Sequence, residues 1–322
     1  MRYAFIVNPA AGTGGHDKGI VRRIQELIFE CKDKEIGLYY TSGAEESTAL
    51  AAMLAKEAKK ANDEIVVFGC GGDGTVHEVA NGIYGYENAI LGIVPIGSGN
   101  DLVRELSRDR GNFKDYLNMN MQLAGSPGSV RELDVMELSW EDEGQIKSCI
   151  SVNNINIGFD GNTAVRASEL KEKPLISGSF AYLLAVFSTL VKKEGQSLRI
   201  TADGEDFHDG DLLLTTMGNG GYCGGGIRSC PFALMDDGLI ELMAVNDVSR
   251  MRFIRLFPRF RAGRIFETEN IEKLIKYRRA KRITIEPLLA DKMKFVTDGE
   301  VLETGKLTIQ IQPRKLRIWE MR

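Results

Sequence analysis

Residues 65–68, Ile-Val-Val-Phe, form an apolar run with no polar alternation, which leads without a break into Gly-Cys-Gly-Gly-Asp-Gly and then into helical spacing from Val76. A strand that is apolar on both faces is buried on both faces, and open sheets achieve this when they are parallel and layered by helices. The rest of the first third repeats the pattern. RYAFIVN (2–8), IGLYYTS (36–42) and AILGIVPI (89–96) read as further strands. Helical spacing separates them around Ile20, Ile24, Leu27 and Ile28, around Leu50, Met53, Leu54 and Ala58, and over VHEVANGIYG. Strand–helix alternation of this kind predicts βαβ units on one parallel sheet.

Three of these strands end in glycine: NPAAGTGG (Asn8, Pro9 to Gly15), GCGGDGT (Gly69 to Thr75, with Gly71, Gly72, Asp73 and Gly74) and PIGSGND (Pro95 to Asp101, with Gly97, Ser98 and Asn100). The carboxyl ends of parallel strands are where open sheets bind ligands. Glycine lets backbone approach a ligand closely, and helix N-termini favour phosphate. Three such loops on one sheet edge point to a nucleotide site. No GxxxxGK[ST] occurs, which excludes a P-loop, and the first strand is followed by NPxxG rather than the GxGxxG of a dinucleotide fingerprint. A carboxylate among phosphate-binding amides would repel the phosphate unless a cation intervened, so Asp73 implies Mg²⁺, held directly or through water.

Beyond about residue 127 the pattern changes to short β-branched segments: RELDVMELSW, KSCISVNNINIG, SLRITADG, DLLLTTMGNG, LIELMAV, RITIEPLL, MKFVTDGEVL and KLTIQIQ. Several are joined by Asp-Gly, which suits tight hairpins. This predicts a mostly antiparallel domain, interrupted by helices at about 178–192 and 249–262. The domain boundary is expected in AGSPGS (124–129), giving domains 1–127 and 128–310, with 311–322 packing back onto the first. At 43% hydrophobic and 27% charged, the 322 residues suit an ordinary soluble globular protein. The net charge of −4 argues against nucleic acid as a partner. Five dispersed cysteines without a CxxC fit a reducing cytoplasm. The opening strand leaves no room for an export signal, and the longest apolar run, Phe180–Val191, is too short to span a bilayer. That run is either core or an acyl-chain pocket.

GGDGTVHEV, with NPAAG before it and PIGSGND after it, resembles the catalytic domain of the diacylglycerol kinase and sphingosine kinase superfamily, especially its soluble bacterial lipid kinases. The likeness continues through VNNINIGFDGNTA (152–164), GNGGYCGGGI (218–227), LMDDGLIEL (234–242) and FVTDGEVL (295–302), and so covers the chain in order. The resemblance implies an NAD-kinase/diacylglycerol-kinase-like α/β domain, a C-terminal antiparallel β-sandwich and an active site in the cleft. It implies ATP around Asn8, Gly12, Thr41, Gly72, Asp73, Gly74, Thr75 and Ser98-Gly99-Asn100, with Asp73 and Asp101 organising Mg²⁺. Ser98 stands where the family usually has Thr and keeps the hydroxyl. Glu300 in Asp298-Gly299-Glu300 would be the general base and Asp298 its partner, although the segment also reads as a plain hairpin turn. A structural Mg²⁺ would use the Asp237 carboxylate and the Leu234 and Leu239 carbonyls. Cys223, Cys230 and His77 are expected to pack rather than react.

Residues 250–282 carry twelve Lys or Arg and three Glu, a local charge of +9. Arg252, Arg255 and Arg259 share one helical face, and Phe253, Leu256, Phe257 and Phe260 line another. A contact with an anionic membrane is expected there, peripheral and on the cytoplasmic side, with diacylglycerol as the best single substrate. A homodimer is left open. An NAD kinase and a non-catalytic nucleotide- or lipid-binding regulator remain the alternatives.

Overall fold

The computed structural model describes residues 1–8, 16–32, 34–42, 46–97, 99–107, 129–158 and 195–320. The helix expected over 178–192 lies outside them. The chain divides into two compact units, Met1–Leu133 with Arg314–Arg322, and Asp134–Pro313. The divide expected at 127/128 therefore falls at Leu133/Asp134, within a continuous strand, and the return falls at Arg314 within another.

In the first unit, β1 (Arg2–Val7), β2 (Ile36–Tyr40), β3 (Ile65–Gly71) and β4 (Ala89–Pro95) are parallel in the order β4-β3-β1-β2. The end of β15 (Leu307–Glu320) adds to β4, with Ile318 beside Leu91. All seven residues of β3 and all seven of β4 are buried, as their unbroken apolar runs demand. Phe5 and Phe68 stack with centroids 4.6 Å apart, and Trp319 meets Tyr3 edge-on at 6.1 Å. Thus the last strand contributes its aromatic ring to this core. The helices are α1 (His16–Glu30), α2 (Glu46–Lys60), α3 (Asp73–Ile83) and the short α4 (Asp101–Leu106). α2 buries Ala51, Leu54, Ala55 and Ala58, and lies so close to α3 that a methyl group on Gly82 would run into the Thr48 carbonyl.

The second unit is antiparallel. β5 (Ser129–Asp142) pairs with β6 (Gln145–Ser151), and β7 (Asn154–Gly158) pairs with β9 (Glu205–Gly218) and β13 (Met293–Thr297). β9 also pairs with β8 (Gln196–Ala202) and β10 (Ile240–Asn246). β12 (Arg282–Pro287) joins β8 to the start of β15, β11 (Ile275–Ala280) edges β10, and β14 (Glu300–Thr304) edges β13. KSCISVNNINIG is two strands rather than one, turning at Val152–Asn153. The core holds Leu138, Ile155, Ile157, Leu242, Phe295 and Ile309.

The 250–282 stretch is not one amphipathic element. It forms α5 (Arg250–Arg261), 3₁₀ turns at Ile265–Glu267 and Ile271–Lys273, and then β11. Phe253, Leu256, Phe257 and Phe260 pack on a cluster of Leu214, Met243, Ile265, Leu274 and Ile275. The aromatic stripe of this stretch is therefore turned toward the protein. Among the described residues no helix is long and apolar enough to cross a membrane.

His208 on β9 is only 7% exposed, and neither ring nitrogen has a side-chain partner. Burial lowers its pKa, and the Lys276 ammonium acts in the same direction; a backbone hydrogen bond with Gly210 and the Asp209 and Asp211 carboxylates oppose them without reversing the shift. The unfolded imidazole takes up a proton near its ordinary pKa of about 6.5, whereas the folded one does so only at lower pH. Stability is therefore complete above that value and falls as the pH drops below it. Urea midpoints at pH 7.5 and 5.5 should show wild type losing more stability than His208→Gln across that interval.

Candidate active site

At the carboxyl edge of the parallel sheet, β3 hands over to α3 through Gly72, which is extended (φ −91°, ψ −169°) and gives no side-chain cap. The first turn of a helix has N–H groups without intrahelical acceptors, and they suit an anion. Asp73 opens α3, and its Oδ1 accepts the Asp101 backbone N–H at 2.8 Å. This bond joins the loop after β3 to the loop after β4. The two loops also meet backbone to backbone: Gly71 carbonyl oxygen accepts the N–H of Ile96 at 2.9 Å and of Gly97 at 3.2 Å. A methyl group on Gly97 would overlap Gly72 Cα, so the second position has to be glycine.

The other predicted residues of this edge gather around that junction. Asn8 follows β1 and donates through Nδ2 to Thr75 Oγ1 at 3.5 Å. Thr41, buried at the end of β2, donates its backbone N–H to the Val7 carbonyl at 3.1 Å. Asn100 has a left-handed backbone (φ 50°) and its side-chain amide donates to the Gly97 carbonyl. Asp101 is buried, 3.7 Å from the Arg104 guanidinium, which also donates to the Gly99 carbonyl at 3.2 Å. Arg104 was not anticipated, because only the fold shows that it returns to Asp101 and Gly99. Pro9, Gly12 and Ser98 lie outside the described residues. His77 is buried on α3, with Asn81 donating to its carbonyl, consistent with a packing role.

Asp73 and Asp101 face a shared space beside Gly99. A methyl placed on Gly99 would lie 2.6 Å from Asp73 Oδ2 and 3.9 Å from Asp101 Oδ2. Two carboxylates with phosphate and water oxygens fit Mg²⁺, which rarely takes an all-protein cage. Among the described residues no cluster of three His, Cys, Asp or Glu could hold a metal by itself.

In the second unit Asp298 and Gly299 both have positive φ (47° and 98°) and form the turn between β13 and β14, with Thr297 opposite Glu300. This is the geometry that Asp-Gly hairpins favour. The Asp298 carboxylate accepts the N–H of Val152 (2.7 Å), Asn153 (3.0 Å) and Asn154 (2.9 Å) and the Ser151 hydroxyl (3.0 Å). It ties the β6–β7 turn to the β13–β14 hairpin. This places Asp298 as a brace, with Glu300 exposed on the strand that follows. Around the brace, Asn153 Nδ2 donates to the Tyr222 carbonyl at 2.8 Å, and Asn154 Nδ2 to the Gly220 carbonyl at 2.8 Å. Asn219 Nδ2 donates to the Asp134 and Val152 carbonyls, each at 2.8 Å. These asparagines were missed as a set. The signal was the asparagines of VNNIN and GNGG in otherwise apolar or glycine-rich surroundings. Cys223 and Cys230 are buried beside the same loops, where Cys223 Sγ donates to Ser229 Oγ at 3.2 Å and Cys230 Sγ lies 3.9 Å from Asn154 Oδ1.

The expected structural Mg²⁺ site does not fit. One Asp237 oxygen accepts the Leu239 N–H at 3.0 Å and the other is paired with the Arg279 guanidinium. Leu234 is 52% exposed. A guanidinium supplies the positive charge that a metal would otherwise bring.

A parallel sheet with a carboxylate-bearing glycine edge, followed in one chain by an antiparallel β domain, is the two-domain architecture of diacylglycerol-kinase-like and NAD-kinase-like proteins. Residues 2–138 match the diacylglycerol kinase catalytic domain, and residues 153–320 match the YegS C-terminal NAD kinase beta sandwich-like domain. The chain belongs to the family that joins these two domains, and is a lipid kinase that uses ATP. It is 26% identical over 301 residues to the diacylglycerol kinase of Bacillus subtilis (strain 168), covering 93% of this chain and 89% of that protein. The "Probable lipid kinase YegS-like" of Pseudomonas syringae pv. syringae (strain B728a) is 34% identical over 200 residues, 60% of this chain and 57% of that one. A diacylglycerol kinase crystal structure from Bacillus anthracis str. Sterne superposes with a TM-score of 0.63 at 22% identity, covering 99% and 96% of the two chains. Yeast NADH kinase gives a TM-score of 0.51 at 11% identity, over 99% of this chain and 82% of that one, and so shares the fold.

If Asp298 acts as a brace, Asp298→Asn exchanges one carboxylate oxygen for an amide among buried donors. It should cost about 1–3 kcal/mol, the usual cost of stranding buried donors. Urea denaturation should show that loss with ATP affinity retained; unchanged stability together with a lowered kcat would instead mark Asp298 as directly catalytic.

Proposed function

We propose that the chain transfers the γ-phosphoryl group of ATP to the free hydroxyl of diacylglycerol, giving phosphatidic acid. The observation that carries the phosphoryl-transfer half is the Asp73–Asp101 junction at the mouth of α3, where amides and carboxylates meet on one sheet edge. The acceptor rests on the diacylglycerol kinases among the relatives. The N–H groups of the α3 first turn and the glycine loops would hold the phosphates, with Asn8 and Thr75 beside them. Asp73 and Asp101 would hold Mg²⁺, which when bound offsets the charge on the transferring phosphoryl group.

Glu300 would accept the proton of the lipid hydroxyl as its oxygen attacks. The bond from the γ-phosphorus to the β-γ bridging oxygen breaks, a bond to the lipid oxygen forms, and ADP leaves. The brace at Asp298 fixes the hairpin and hence the backbone from which Glu300 projects; Asp298 is thus a positioning residue rather than a second base. A pure binding protein needs neither the carboxylate pair nor an exposed glutamate on a braced turn. The acceptor is expected at the surface of an anionic membrane on the cytoplasmic side.

Radiolabelled ATP offered with diacylglycerol, a sphingoid base, phosphatidylglycerol, a polyprenol and NAD should label diacylglycerol most. Labelling of NAD alone would overturn the reading, and ATP binding without transfer to any acceptor would favour the regulator. Glu300→Gln should lower kcat by about 10²-fold or more, the scale of general-base loss, with ATP binding retained.

A further inference from the structure

α5 is a complete helical unit set on the outside of the second domain. Ser249 caps its start by accepting the Arg252 N–H, and Gly263 (φ 69°) ends it with Arg264 N–H bonded to the Arg259 carbonyl at 2.8 Å and Gly263 N–H to Phe260 at 3.0 Å. That is the paired-bond pattern of a glycine-terminated helix. Its inner stripe, Phe253, Leu256, Phe257 and Phe260, is spent on the cluster below it. None of its residues is fully buried.

A second apolar stripe runs along the opposite side. At 100° per residue, Met251, Pro258 and Ala262 point almost directly away from the inner phenylalanines, with Ile254 and Arg255 beside them. Met251 is 76% exposed and Ile254 44%. Arginines flank this ridge on both sides, Arg252 and Arg259 on one and Arg250 and Arg261 on the other, and α5 contains no acidic residue. These four and Arg255 are all exposed, and Arg259 reaches the Thr268 hydroxyl at 3.3 Å, with no carboxylate ion pair found for it among the described residues. An exposed methionine and isoleucine serve no packing purpose in a chain whose other face of the same helix already fills the core contact.

We propose that α5 lies flat in the interface of an anionic bilayer, with Met251 and Ile254 inserted among the acyl chains and the flanking arginines on lipid phosphates. An apolar ridge between two cationic rows is the arrangement of in-plane interfacial helices. Arginine suits this role because its planar guanidinium binds phosphate in two-point fashion. The identity of the partner rests on the lipid-kinase reading; the geometry of the surface does not. The membrane contact thus involves the outward ridge, and the phenylalanines hold the helix to the protein.

The test is co-sedimentation of the full chain with phosphatidylcholine vesicles, with and without 30% phosphatidylglycerol, together with a short DNA duplex as competitor. Wild type should partition to the anionic vesicles and lose partitioning as salt rises. Arg252→Glu/Arg255→Glu/Arg259→Glu should lower partitioning about a hundredfold, since each basic residue near an anionic surface contributes roughly fivefold. Met251→Ser/Ile254→Ser should weaken binding while preserving the salt slope, and Arg199→Glu, on another strand, should leave it unchanged. Melting temperatures of the variants close to wild type exclude misfolding as the cause. Vesicle binding that ignores the α5 substitutions, or that tracks Arg199 equally, overturns the proposal. Binding of DNA in preference to vesicles does so too. Phosphoryl transfer to a water-dispersed short-chain acceptor is measured alongside: transfer without vesicle binding sinks the docking surface alone, and vesicle binding without transfer sinks the kinase reading alone.

Discussion

The hydrogen bond from the Asp101 N–H to Asp73 holds together the carboxyl edge of the parallel sheet, where the proposed phosphoryl transfer would take place. It spans 28 residues and joins the ends of two adjacent parallel strands. Neither loop could be placed by its own strand with the accuracy that phosphoryl transfer needs, since glycine-rich segments carry more conformational freedom than any others. The bond removes that freedom at one point, and the Gly71 carbonyl, shared by Ile96 and Gly97, removes it at a second. The glycines permit the approach, and the aspartate fixes it. One oxygen of Asp73 performs this task and leaves the other facing Asp101 across Gly99.

Four of the six Asp-Gly pairs in the chain have different outcomes, and the difference lies in what surrounds each carboxylate. At Asp73-Gly74 it bridges two phosphate-type loops. At Asp203-Gly204 it makes a turn with positive φ at both residues, and Asp203 accepts the N–H groups of Lys281 and Arg282, a local tie between strands. At Asp237-Gly238 it is neutralised by Arg279. At Asp298-Gly299 it gathers four donors from the β6–β7 turn. Aspartate tolerates the left-handed backbone of such turns and accepts several hydrogen bonds at once, so the same dipeptide serves all four.

The alternation of apolar runs and glycine loops made the parallel sheet readable, because full burial of β3 and β4 leaves no room for polar residues. Asp73 stood out as a candidate for a similar local reason: glycine flanks it on both sides. What escaped the sequence depends on long-range contacts. Arg279 reaches Asp237 from 42 residues away and pairs with the carboxylate on which a metal was expected. The Asp298 donors lie 144 to 147 residues distant. Asn219 bonds to Asp134 and Val152 across the turns of three strands. No spacing rule connects such positions, and a brace and a catalytic acid look identical until their donors are seen. β11 was missed for another reason, since Lys276, Arg278 and Arg279 on an edge strand read as a solvated charge run.

The same limit explains why the sequence pattern could not say which face of α5 meets the protein. Helical periodicity finds the stripe with the most apolar residues, and in RMRFIRLFPRFR that stripe is the phenylalanine face. A helix on a protein surface first has to satisfy the protein, and the larger stripe goes to the core because burying aromatic area against packed neighbours is worth more than any contact made only at a membrane. What remains for a bilayer is the smaller stripe, two exposed apolar side chains in a field of arginine. Such a pair is too weak to hold a soluble chain on a neutral membrane or to drive aggregation, and becomes effective only where anionic headgroups add the electrostatic part. A helix of this composition therefore reads surface charge before it reads hydrocarbon.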